Sequence, residues 1–147
     1  MNIFSRQTVK SGLNIKIQTI KLKTNTMSIK SFTDISQSKK LAKILPLESA
    51  DMGWYYPCNP NSARNQMWLG TKSENADIPC WSLAALLDVL PYKFVDNHYL
   101  TLYKEGSKEY CCCCEDVNGN GFGHHFADNP IDACVAMIEK LHELKML

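Results

Sequence analysis

No apolar run in this chain reaches the roughly 18 residues a membrane-spanning helix needs. Near the N-terminus no continuous apolar stretch fills the roughly 7–15 residues of a secretory signal. Residues 1–27 contain no acid. No second cysteine pair follows at zinc-finger spacing, and no histidine stands in a fixed motif with a cysteine nucleophile. These absences argue against a membrane span, an exported disulfide scaffold, a zinc finger of common type and a recognisable thiol enzyme. What is present is a 147-residue chain, 45% hydrophobic and 21% charged. That is globular composition and about one domain's length.

The charge is unevenly placed. Arg6, Lys10, Lys16, Lys21 and Lys23 give residues 1–27 a charge of +5. The remaining residues hold 11 cations against 15 acids, a net −4. An acidic body argues against binding duplex nucleic acid, which needs clustered cations. Five cations over 27 residues are too dilute for a polybasic arm. Ile15, Ile17, Ile20 and Leu22 alternate with polar residues but slip phase. Residues 1–26 are therefore expected to be a basic leader, disordered or translated from a mis-assigned start. A single α+β domain is expected over 27–147, beginning at Met27.

Thr33 is the expected N-cap of a first helix carrying Ile35, Ser38, Leu41, Ala42 and Leu45, stopped by Pro46. Residues 52–57 and 64–69 are expected to be short strands joined through the Asn59–Ser62 turn, with a polar loop over 70–79. Leu83, Leu86, Leu87 and Leu90 recur at helical spacing before Pro91, and Asp88 is the only charge among them, which predicts a helix buried nearly all round. Residues 99–104, 109–114 and 122–127 predict a three-strand meander with turns at 105–108 and 117–121. Asn129 caps a last helix with Pro130 at its first position. The order α-β-β-α-β-β-β-α predicts an α+β domain, an antiparallel meander with helices on one face.

The segments Trp81-Ser82-Leu83-Ala84-Ala85-Leu86-Leu87-Asp88-Val89-Leu90-Pro91 and Asn129-Pro130-Ile131-Asp132-Ala133, continuing to Leu144, resemble a family of small proteins without assigned activity. That family is carried by gut Bacteroidetes and by their phages and mobile elements. The resemblance spans about 28–147 and excludes the leader. It implies a cytoplasmic accessory protein of a bacterium, phage or mobile element. It carries no catalytic residues over.

Seven cysteines stand at 58, 80, 111, 112, 113, 114 and 134. An odd count without an export signal predicts reduced thiols. A two-residue Asn118-Gly119 loop places Cys113 opposite His124 and Cys112 opposite His125. Strand alternation then puts Cys111, Cys113, Phe122, His124 and Phe126 on one face and Cys112, Cys114, Gly123 and His125 on the other. Two phenylalanines mark the first as the core face. That leaves Cys112, Cys114 and His125 as candidate ligands for a soft metal such as zinc on the open face.

Enzyme chemistry has less support. Cys58 and Cys80 with His98, His124, His125 and His142 single out no constellation. Cys80 precedes a helix, where the dipole lowers a thiol pKa, but Trp81 and Leu83 suggest burial. The glycine-rich run at 118–123 joins two strands, which argues against a phosphate loop. Asp116, Asn118 and Asn120 sit at calcium-loop offsets, but the twelfth place is Ala127. The composite expectation is a non-catalytic protein with no cofactor that acts through a protein partner. Trp54, Tyr55, Tyr56 and Trp68 are its candidate interaction surface, because Trp and Tyr dominate interface hot spots.

Overall fold

The computed structural model describes residues 30–58, 66–72, 74–94 and 97–147. The leader at 1–26, the start at Met27 and the Asn59–Ser62 turn lie outside the described residues. Helix α1 (Ile35–Leu41) opens on Asp34, whose carboxylate accepts the Gln37 N–H at 2.9 Å while the Gln37 side chain returns to the Asp34 N–H. This reciprocal cap displaces Thr33 from the expected role. Thr33 is fully buried instead: its hydroxyl meets Ser38 Oγ at 2.8 Å and accepts the Trp81 N–H at 3.1 Å.

Strands β1 (Met52–Tyr55), β2 (Trp68–Thr71) and β3 (Ile78–Cys80) form an antiparallel sheet in the order β2-β1-β3. The third strand falls in and beyond the expected polar loop. Pro79 sits opposite Gly53 on an edge strand, where its missing N–H costs no inner ladder bond. Helix α2 (Leu83–Val89) is capped by Ser82. It is one-sided rather than buried all round: Leu86 is fully buried, whereas Ala84, Leu87 and Asp88 face solvent.

The chain then builds the expected meander, β4 (Tyr99–Glu105), β5 (Glu109–Glu115) and β6 (Gly121–Ala127), in that spatial order. Asn129 caps helix α3 (Pro130–Glu143), which packs on β5 and β6 and meets α2 on its flank. The protein is thus α+β, with two three-stranded antiparallel sheets among the described residues. One core joins Leu41, Trp81, Leu86, the cysteines of β5 and the buried stripe of α3. Trp81 is wholly enclosed, yet its indole N–H finds Ser49 Oγ at 2.9 Å, so burying the ring strands no donor. No helix of the described residues is long and apolar enough to cross a membrane.

Candidate metal centre

β5 lies between β4 and β6, and Cys111, Cys112, Cys113 and Cys114 are all fully buried. Alternation sends them to opposite sides of the sheet. Cys112 meets Cys134 of α3, so the Cys112 side is the one the helix covers. Gly123 confirms the direction, since a Cβ there would stand 3.2 Å from Met137 Cε of α3. The expected core and open faces are therefore exchanged. The cause lies in β6. Glu115 pairs with Gly121 and Cys114 with Phe122, while Cys112 still pairs with His125. One residue is thus gained on β6 opposite Cys113, as a bulge at which Gly123 takes φ +67°.

The bulge separates the two phenylalanines. Phe122 turns to the helix side and packs against Phe94 and His98, with ring centroids 6.1 and 5.7 Å away. Phe126 remains beside Cys111 on the outer side, 51% exposed. The turn differs to match. The Asp116 N–H donates to the Asn120 carbonyl at 2.9 Å around the loop Val117-Asn118-Gly119, and Gly119 takes φ +78°. The Asp116 carboxylate accepts the N–H groups of Asn118 and Asn120, both at 2.8 Å. Turn capping therefore accounts for the calcium-like spacing.

On the outer face, donor atoms of Cys111, Cys113 and His124 lie within 4.8 Å of one another. It is the one group of three such side chains to converge among the described residues. Glu115 joins its edge: Oε1 accepts from the Cys113 thiol at 3.1 Å and lies 3.9 Å from His124 Nδ1. Tyr103 of β4 pairs with Cys111 across the ladder. Small thiols on a central strand are thus shaded by longer neighbours, and no helix is needed to bury them. Burial first, and then the Glu115 carboxylate, push the Cys113 thiol well above its ordinary pKa. Two thiols, an imidazole and a carboxylate are the donor types that hold Zn²⁺.

The residues expected as ligands sit elsewhere. Contact with Cys134 and burial hold Cys112 far above the usual thiol range. Burial raises Cys114 to about 11. His125 turns towards Lys140 and Glu143 of α3, and its Nε2 is buried without a hydrogen-bond partner. Burial and then the Lys140 charge hold that imidazole below its ordinary pKa. A signal for the outer cluster was nonetheless present: residues 111, 113 and 115 alternate, so Cys111, Cys113 and Glu115 share a face.

The aromatic candidates divide. Trp54 is half-buried, donates to the Thr33 carbonyl at 3.3 Å and meets Phe32 edge-on. Tyr55 stacks on Trp68 at 4.5 Å, and its hydroxyl donates to the Thr71 carbonyl at 2.6 Å. Gly70 lies beneath this pair; a Cβ there would come within 2.8 Å of the Trp68 ring. Tyr56 and Trp68 are 56% and 51% exposed. Cys80 is buried against Thr33, and burial raises its pKa, the reverse of an activated nucleophile. Cys58 is exposed. His142 lines an open groove of about 330 Å³ between α1 and α3, bordered by Lys40, Lys43, Glu139 and Glu143 and crossed by the Lys40–Glu139 ion pair.

No family model, no curated protein and no solved structure matches this chain.

Proposed function

We propose that this chain is a non-catalytic binding protein whose specific site is a centre for a soft divalent metal of the zinc class, held by Cys111, Cys113 and His124. The observation that carries this is the convergence of two thiols and an imidazole within 4.8 Å on one face of a rigid sheet. Two ligands come from alternate positions of β5 and the third from the β6 bulge opposite Cys113, so the backbone brings the three together before any ion arrives. Soft sulfur and imidazole donors favour zinc over magnesium or calcium. The proposal fits a reducing, cytoplasmic setting, in which free thiols persist. The resemblance to small accessory proteins of bacteria, phages and mobile elements supports a binding role over catalysis.

Metal content of the reduced, purified chain tests this. Wild type should hold about one zinc per chain, as a single site of two thiolates and an imidazole would. Cys111→Ser with Cys113→Ser should lose it, and Cys112→Ser with Cys114→Ser should keep it. A metal-free wild type that also takes up no added zinc would end the proposal.

A second reading is docking of a protein partner on the β1–β2 face, favoured by the exposure of Tyr56 and Trp68. Partner capture that survives Tyr56→Ala with Trp68→Ala would remove it.

A further inference from the structure

We infer that Glu115 is the fourth ligand, making the centre a closed shell of two thiolates, an imidazole and a carboxylate built for Zn(II). This rests on the three-donor proposal above. With zinc–sulfur bonds near 2.3 Å and zinc–nitrogen or –oxygen bonds near 2.0–2.2 Å, tetrahedral ligand atoms stand about 3.3–3.8 Å apart. Glu115 Oε1 lies 3.1 Å from Cys113 Sγ and 3.9 Å from His124 Nδ1, on either side of that spacing. A single oxygen already sits between the sulfur and the imidazole, where a fourth ligand belongs. Shifts of about half an ångström bring these two separations into the tetrahedral range. Glu115 stands outside the 4.8 Å convergence of Cys111, Cys113 and His124, so a turn of its side chain must also carry the carboxylate further into that group.

Strand geometry holds it there. Cys111, Cys113 and Glu115 occupy alternate positions of β5 and share its outer face. His124 reaches in from the bulge of β6, so the shell clasps two strands where their ladder is interrupted. Four protein ligands leave no open position for a substrate, which marks a structural site rather than a catalytic one. Tyr103 is the cross-strand partner of Cys111 on β4, within reach of an outer contact of the kind that tunes a centre. A hard carboxylate oxygen suits Zn(II) and contributes little to Cu(I), which two thiolates and an imidazole satisfy alone.

That contrast gives the test. The full reduced chain and Glu115→Gln are each titrated anaerobically with Zn(II) and, separately, with Cu(I) against chromophoric competitors. Glu115→Gln should weaken Zn(II) by more than the roughly 10–100-fold that loss of an outer-shell partner costs, and leave Cu(I) within about threefold. Equal Zn(II) affinity in both proteins would show that Glu115 is not a ligand, and the three-donor proposal would stand without it. Parallel loss of both metals would also overturn the inference, because it reports a disturbed hairpin rather than a missing ligand. If wild type binds neither metal, the proposal beneath it falls as well.

Discussion

Gly123 decides which side chains share a face. Its left-handed backbone absorbs the residue gained on β6, turns Phe122 inward and leaves Phe126 outside. A side chain there would meet Met137 as well as an unfavourable φ, which alone costs about 1–2 kcal/mol. Gly123→Ala should lower the melting midpoint by about 3–10 °C for a chain of this size. An unchanged melt would mean the bulge is not built as described. Alternation alone groups Cys111, Cys113 and His124 correctly. It could not say which side meets α3, because a run of four cysteines has no apolar–polar contrast to mark the core. Its use of two phenylalanines as that mark failed because the bulge moved one of them.

Periodicity and capping made the long elements legible. The Asn129–Pro130 start of α3 and the meander stand where the residue patterns place them. β3 was hidden because three residues containing a proline carry too little alternation to be recognised. The exposed side of α2 was hidden because Leu87 is as apolar as Leu86 yet points away from the core. Leu86→Ala should cost about 2–5 kcal/mol, as a fully enclosed leucine does. A loss below about 1 kcal/mol in denaturant titration would contradict its place in the core.

The starts of α1 and α3 are tied by Lys30, whose ammonium donates to Asp34 at 2.9 Å, to Gln37 at 2.6 Å and to Asp132 at 2.7 Å. Burial alone would raise the Asp132 pKa, but hydrogen bonds from Lys30, Gln37 and Asn129 outweigh it and leave the group below its ordinary value. Asp34 is lowered too: the Gln37 N–H and Lys30 outweigh its smaller burial. Depressed carboxylates add stability above their unfolded pKa, and this is lost as pH falls through the folded value. Wild type should therefore lose stability below about pH 4 more steeply than Lys30→Met. Parallel acid profiles would show that the network contributes nothing measurable.

At the scale of the whole molecule, the described residues form two small sheets and three α-helices around one core, and the Cys111–Cys113–His124 cluster lies on the side of the meander opposite α3. The core explains why the cysteines are tolerated, since thiols pack as small hydrophobes. It does not require Cys111, Cys113, His124 and Glu115 to converge beyond it. X-ray absorption of the zinc-loaded chain measures that convergence most directly. The account predicts one zinc with two sulfurs at about 2.3 Å and two nitrogen or oxygen ligands at about 2.0–2.2 Å, unchanged in Cys112→Ser with Cys114→Ser. A shell of four sulfurs, a shell without sulfur, or one that changes with the helix-side cysteines would contradict it.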